Sequence, residues 1–398
     1  MSAASSAGAN KPRIRVFGHC CGLKSALRPP SLTCYTLSFI SFDNNHQRLC
    51  HRCITSMTQY NVGIIGYGWA ATAHIPAINA TPLAQVTAVC SSRKLDSQEL
   101  SAKHGGTIKV YNHLDSMLAD PDIDVVSVCS YPPDHVKQVI TAARAGKHLI
   151  IEKPLCLSLK DLRAMQRAVA QAKVKTCVCF ELRFSSQFLV IRSLLDKGWL
   201  GKIHYGEVDY FHGIGPWYGQ FRWNTRKDSG GSSLLSAGCH ALDILLLCMG
   251  GEVESVSSYA TGSANKDFRK YEYPTTSVTI LKFNDGRIGK VASSIDCLQP
   301  YYFHTHLVGS EGSLLDNKFH STKLDGLNKN KWSELSIKLC DSGDVTDHPY
   351  EKQFAAFFEA LATGRQMPLT SLAEAAQSHE VILAADQSAQ TGRPVKIR

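Results

Sequence analysis

No apolar run in the 398-residue chain approaches the roughly 18 residues of a membrane-spanning helix; the longest, "ALDILLLCMGG", falls well short. Paired metal-binding cysteines are missing too. Of fourteen cysteines, the lone "CHRC" at Cys50 to Cys53 has no second pair with which to close a zinc site. Cys177 and Cys179 alternate along an expected strand and point to opposite faces, which suits packing rather than chelation. The scattered thiols read as reduced, buried cysteines of an intracellular protein, and no metal is expected. A basic surface is also lacking, despite a formal charge of +9: residues 1–58 hold seven Lys or Arg against one acid, Asp43, and so account for +6 of it. The +3 left over is no footprint for nucleic acid.

Scarcity of acid, richness in Ser, Arg and Cys and absence of periodicity give residues 1–58 transit-peptide traits. "SLTCYTLSFISF" also passes as a poor signal-peptide core, and Met57 would be a natural start for the folded body. The location is cytoplasmic if Met57 is the functional start, and mitochondrial or another organelle if the leader is a transit peptide.

From Tyr60 onward, β-branched runs alternate with helical patterns, which predicts βαβ units and a doubly wound parallel sheet. The strands are "NVGIIG", "AQVTAVC", "IDVVSVCS" and "KHLIIEK". Asp134 is expected to cap the helix "HVKQVITAARA", and Gly146 to stop it. The first turn, "GIIGYGWAATAH", sets Gly66, Gly68 and Ala71 in G-x-G-x-x-A spacing between a strand and a helix, the fingerprint of a dinucleotide site. An NAD site would place an acid at the end of the second strand, but "VCSSRK" has none before Asp96. Ser91, Ser92, Arg93 and Lys94 instead offer hydroxyls and cations to a 2′-phosphate, favouring NADP over the alternative, NAD.

"HLIIEKPLCLSL" follows a buried strand with Glu152 and Lys153. Pro154 biases Lys153 toward extended backbone. The charged pair is expected on the rim where open α/β sheets bind ligands, and so need not be buried. A lysine beside a nicotinamide is suited to acid/base work, unless it merely pairs with a nearby acid.

Beyond about residue 181 the pattern changes to period two in "KIHYGEVDYFHG", "EVESVSSYATGSA", "TTSVTILKFNDGRIGKVASSID" and "YFHTHLVGSEGSLLDN", with "NDGR" as a hairpin turn. Half-buried antiparallel strands follow, with one face open to substrate or a second subunit. The last 45 or so residues return to helix.

The blocks "VGIIGYGWAATAHIPAI", "SYPPDHVKQVITAARAGKHLIIEKPL", "RFSSQFLVIRSLLDKGWLGKIHYGEVDYF", "GGSSLLSAGCHALDILL" and "VGSEGSLLDN" resemble, in order, the glucose-fructose oxidoreductase, inositol dehydrogenase and rhizopine catabolism (Gfo/Idh/MocA) family. The resemblance implies a nicotinamide-dependent oxidoreductase with a Rossmann domain at 59–180 and an α+β domain with a large open antiparallel sheet at 181–398. The latter would form the substrate pocket and the contact of a homodimer or higher homo-oligomer. Lys153 takes the family's acid/base place and His240 that of the histidine on the substrate; Asp243, at i+3 on the same helical face, is spaced to orient or charge-stabilise the imidazole. Trp69, Tyr131, Pro132, His135 and Glu152 fall near the cofactor. Many members carry an aspartate four residues before the histidine; here that position is Ser236, which puts inositol-type oxidation in doubt. Arg183, Trp217 and Trp223 are further substrate-pocket candidates. The implied activity is hydride exchange with a carbinol or carbonyl carbon of a sugar, polyol or related alcohol. The alternatives are an NAD-dependent glycoside hydrolase and a non-catalytic sugar-sensing regulator.

Overall fold

The computed structural model describes residues 59–214, 221–341 and 348–397. Six parallel strands form the first sheet: β1 (Tyr60–Ile65), β2 (Ala84–Cys90), β3 (Lys109–Tyr111), β4 (Val125–Val128), β5 (His148–Ile151) and β6 (Thr176–Val178). Their order is β3-β2-β1-β4-β5-β6. β4 is buried along its whole length, as a strand covered on both faces must be. The order reverses at β1, opening a crevice between the carboxyl ends of β1 and β4.

Five helices alternate with these strands: α1 (Trp69–Asn79), α2 (Ser97–His104), α3 (Leu114–Leu118), α4 (Pro132–Arg144) and α5 (Leu159–Ala172). α4 starts earlier than the capping pattern suggested. Tyr131 is its N-cap and Pro132 opens it, which places Asp134 inside the first turn, where it meets the helix dipole. Gly146, at φ +75°, follows the end of the helix.

After α6 (Ser186–Asp196), the chain builds a second sheet from β7 (Ile203–Phe211), β8 (Val253–Thr261), β9 (Thr276–Phe283), β10 (Ile288–Ser294), β11 (Tyr302–Gly309), β12 (Gly312–Leu315), β13 (Lys318–Ser321), β14 (Ser333–Glu334) and β15 (Val395–Lys396). The order is β14-β13-β12-β11-β7-β10-β9-β8-β15, antiparallel except for the β7–β10 pair. The "NDGR" turn joins β9 to β10 with Gly286 at φ +85°, a backbone angle that only glycine adopts without strain.

The inner face of this sheet packs on α7 (Cys239–Met249) and α9 (Leu372–Thr391). α7 is the apolar "CHALDILLLCM" segment, and it is apolar nearly all round because nine of its eleven residues are buried. A π-helical turn, Leu234–Gly238, leads into it. A Cβ on Gly238 would lie 2.4 Å from Ser293 Oγ, so the turn can approach β10 only as glycine. α8 (Tyr350–Ala362) returns to the first sheet and packs with α1, where Phe354, Phe357 and Phe358 join Ile64, Ile75 and Ile78 in one core.

Two buried polar ties lock these elements. In the first, Arg183, in the turn after β6, donates from Nε and Nη2 to Asp243 of α7 at 2.7 and 2.6 Å, and Ser378 of α9 donates to the same carboxylate at 2.6 Å. In the second, Glu152 after β5 is only 6% exposed, and its Oε1 meets His74 Nε2 of α1 and the Tyr350 hydroxyl of α8, both at 2.8 Å. Burial works against the Glu152 anion, yet the His74 bond and charge, the Lys153 charge and the Tyr350 bond outweigh it and hold the carboxyl at about 2. Burial likewise opposes the His74 cation, but Cys129 and Glu152 overcome it and raise the imidazole to about 10.

Removing one member of a buried pair strands the other charge, at about 3–5 kcal/mol. Asp243→Asn is therefore expected to lower unfolding free energy in urea by about that amount, and Arg183→Met with Asp243→Leu to cost less than the single change. For the second tie, Glu152 contributes above pH 4.5 and loses its contribution as pH falls toward 2; His74 contributes below 6.5 and loses its own as pH rises toward 10. Thermal melts should show the full effect between pH 4.5 and 6.5, and Glu152→Gln should lower the midpoint most in that window.

Candidate active site

The turn from β1 into α1 is shaped by its glycines. Gly66 has φ +85°, and a Cβ there would lie 3.0 Å from the Cys129 carbonyl oxygen at the end of β4, so no other residue fits. A Cβ on Gly68 would meet nothing within 4 Å, so its backbone faces open space. Gly68 caps α1 without a side-chain hydrogen bond, and the first turn of the helix contains no acid. The N–H groups of the first helical turn and the positive end of the dipole are what a pyrophosphate requires. Ala71 is fully buried, its small side chain admitting the helix to the sheet, while Trp69 stands 44% exposed at the helix start.

At the end of β2, Ser91 is buried and its Oγ accepts from Arg93 N at 3.1 Å, while Ser92, Arg93 and Lys94 are exposed. The Arg93 guanidinium donates to the carbonyl of Tyr67, between the two glycines. Asp96, the first carboxylate after β2, accepts from Gln98 N at 2.7 Å and Glu99 N at 2.9 Å as the cap of α2. Both bonds go to its Oδ1, which is thereby committed to the helix.

Not every candidate at the β4 and β5 ends reaches toward the cleft. Tyr131 is 56% exposed, and its ring lies 5.6 Å from that of half-buried Trp223. Pro132 is buried at the start of α4. His135, expected at the cofactor, is buried with both ring nitrogens on main-chain carbonyls, Pro154 at 2.9 Å and Ser130 at 3.1 Å; it fastens the two exit loops together. Glu152, expected on the rim, is buried in the tie described above, and its Oε2 accepts from Lys153 N at 3.0 Å. The glutamate anchors the main chain from which the lysine projects.

Lys153 Nζ donates to the Ser236 carbonyl in the turn before α7 at 3.3 Å, which brings the lysine to the His240 segment. Ser236 directs its own hydroxyl to the Ser232 carbonyl at 2.8 Å. His240 is buried, its Nε2 is 3.8 Å from Glu181 Oε1, and its Nδ1 meets no hydrogen-bond partner among the described residues. Burial first, then the Lys153 charge and His348, push its pKa well below the usual imidazole range, so it is neutral.

The i+3 spacing suggested that Asp243 orients His240. The structure corrects this, because the Asp243 carboxylate is taken up by Arg183 and Ser378. Arg183, a substrate-pocket candidate, is thereby committed to a structural pair. Trp217 lies outside the described residues.

Three residues around the lysine carried no prediction: His74, Glu181 and His348. Glu181 is fully buried after β6, with His348 Nε2 3.8 Å from its Oε1. His348 also lies edge-on to Trp69, ring centroids 6.1 Å apart. Burial raises Glu181 to about 8, with Lys153 opposing and Glu152 and Asp243 adding to the rise. The place therefore combines a lysine, a neutral imidazole and a carboxyl that keeps its proton at neutral pH, a set suited to binding and protonating an oxygen.

Residues 60–180 match the model of an oxidoreductase family with an NAD-binding Rossmann fold, and residues 188–315 match the GFO/IDH/MocA C-terminal domain. An uncharacterized oxidoreductase of Bacillus subtilis, YrbE, is 26% identical over 85% of this chain and 97% of its own length. Myo-inositol 2-dehydrogenase of Thermotoga maritima is 27% identical over 66% of this chain and 76% of its own. A levoglucosan dehydrogenase solved with NADH and levoglucosan superposes with a TM-score of 0.75 at 21% identity, over 85% of this chain and 99% of that one. Glycine turn, strand order and both matched domains agree: the chain belongs to the Gfo/Idh/MocA family of NAD-binding oxidoreductases.

Proposed function

We propose that this chain is an NADP-preferring dehydrogenase or reductase that acts on a CH–OH group of a sugar, polyol or related small alcohol. The observation that carries this reading is the reach of Lys153 from the carboxyl end of β5 to the Ser236 carbonyl, beside neutral His240. When bound, the nicotinamide cofactor supplies the acceptor or donor of hydride. Gly66, Gly68 and the α1 N-terminus would hold its phosphates, and Trp69 and Tyr131 would flank the cleft. In oxidation Lys153 takes the hydroxyl proton as the C–H electron pair leaves with hydride; in reduction it returns that proton to the oxygen. His240 hydrogen-bonds the same oxygen and orients it.

Arg93 and Lys94 support the preference for NADP, as does the engagement of Asp96 in capping α2 rather than facing a ribose hydroxyl. The polyol and sugar dehydrogenases among the relatives support the substrate class. Residues 59–180 serve as the cofactor unit and residues 181–398 as the substrate unit, with α8 returning to brace the first sheet. Tyr259, Val278, Ile280, Ile288 and Tyr302 are exposed on strands of the second sheet, which suits a homodimer contact.

Absorbance of the reduced nicotinamide, followed with a panel of inositols, aldoses and dicarbonyls, should reveal turnover with NADP. Lys153→Met should reduce kcat/KM by about 10²–10⁴, the usual worth of a positioned acid/base, and unchanged turnover would remove that role. Arg93→Ser with Lys94→Ser should raise KM for NADP about tenfold and leave that for NAD unchanged.

A further inference from the structure

The "HTH" of β11 belongs to none of the elements that form the lysine site. His304 and His306 are two apart on a strand, so both side chains leave the same face, opposite to Phe303 and Leu307, which are buried in the core. β7 is the antiparallel neighbour, and its register sets Glu207 directly across from His306 and Asp209 across from His304. One ligand atom from each of Glu207, His304 and His306 falls within 4.8 Å of the other two, and all three residues are half-buried. Cysteine spacing gave no reason to expect a metal; two imidazoles and a carboxylate on paired strands can bind one without any thiol.

We propose that Glu207, His304 and His306 form a binding site for a divalent transition-metal ion, zinc being the ion that such a donor set suits. In a tetrahedral zinc site, bonds of about 2.0–2.2 Å place neighbouring ligand atoms about 3.3–3.6 Å apart, so side-chain rotation has to close the three atoms by no more than about 1.5 Å. Water takes the fourth position. The site lies on the face of the sheet turned away from α7, so the ion takes no part in hydride transfer, and the inference does not rest on the dehydrogenase reading. The exposed apolar residues Tyr259, Val278, Ile280 and Ile288 lie on the same face but on β8, β9 and β10, to the other side of β7.

The groups behind the three ligands hold them in place. Asp316, in the turn after β12, accepts through Oδ1 from Thr305 N at 2.9 Å, and the same oxygen lies 3.1 Å from His304 Nδ1. The Tyr302 hydroxyl lies 3.0 Å from that nitrogen and donates to Asp316 Oδ2 at 2.8 Å. A carboxylate on Nδ1 sets the tautomer and leaves Nε2 to the ion, the support that metal-bound histidines generally have. Glu207 is steadied at both oxygens, Oε2 accepting from the Tyr205 hydroxyl at 2.8 Å and Oε1 from Lys290 Nζ at 2.7 Å, and each oxygen keeps a further lone pair. Lys290 competes with the ion for Glu207, but it also donates to Asp209 Oδ2 at 2.7 Å, and this second carboxylate can keep the ammonium. Glu207, Asp209 and Asp316 together outnumber Lys290 by two charges when both imidazoles are neutral, which is the charge a divalent cation supplies.

The full-length protein, stripped with EDTA and dialysed, is titrated with zinc chloride by calorimetry, with the melting temperature followed in parallel. Wild type should bind one more equivalent of zinc per chain than His306→Gln. Zinc at about 100 times the dissociation constant of that equivalent should raise the wild-type melting temperature by a few degrees and leave that of His306→Gln unmoved. Asp316→Asn keeps all three ligands and loses the carboxylate behind His304; it should weaken the same equivalent by about 10–100-fold. Cobalt(II) bound in place of zinc should show the absorption of a four-coordinate nitrogen and oxygen site, and His306→Gln should lack it. Equal zinc stoichiometry and equal melting shifts in wild type and His306→Gln overturn the proposal, as does an affinity unchanged in Asp316→Asn or a cobalt spectrum of thiolate charge transfer alone. Each of these results leaves the dehydrogenase reading standing.

Discussion

A carboxylate set at the end of a buried strand needs partners that offset its lost hydration, and the rest of the site depends on how Glu152 obtains them. His74 and Tyr350 approach one of its oxygens, and the main-chain N–H of Lys153 meets the other. α1 carries the glycine turn at its start and buried His74 within it; α8 begins at Tyr350; Glu152 directly follows β5. One anion therefore fixes the positions of the turn, the covering helix and the loop that bears the lysine. His135 adds a second fastening by bonding the carbonyls of Ser130 and Pro154, so the exit loops of β4 and β5 are held to each other as well. Lys153 extends to the turn before α7, where its Nζ donates to the Ser236 carbonyl.

Features set by local backbone demand were legible in the sequence. Gly66 must be glycine because of its φ and its closeness to Cys129, and "NDGR" must turn because only such residues do. The alternation of strand and helix, and then the period-two strands, announced both sheets. What escaped were the long-range pairings. His74 lies 78 residues from Glu152 and Tyr350 198 residues from it, and nothing near the "EKP" block reveals either, so the glutamate was placed on the rim. Asp243 misled in the opposite way. A helical spacing of three offered His240 a plausible partner, but Arg183, 60 residues distant, binds that carboxylate with two nitrogens. Glu181 was within reach of the reasoning that found Lys153, since it too follows an apolar strand and an isolated charge there needs a reason.

The two buried glutamates show how one residue type is adapted to opposite uses. Glu152 is surrounded by donors and stays ionised, serving as a structural anchor. Glu181 is fully buried with two imidazoles 3.8 Å from one oxygen, and burial raises it to about 8. Stability is gained at the first and given up at the second, and polar groups left unsatisfied beside a lysine are the kind of local weakness that functional sites retain.

The placement of Lys153 in the cofactor cleft is tested most directly by a crystal structure of the complex with NADPH and a substrate analogue. The Lys153 amine should lie on the same side of the cleft as the nicotinamide ring, within hydrogen-bond reach of the analogue's reacting oxygen, with His240 on that oxygen too. A ring bound away from Lys153, with its amine turned from the analogue, would contradict the assignment.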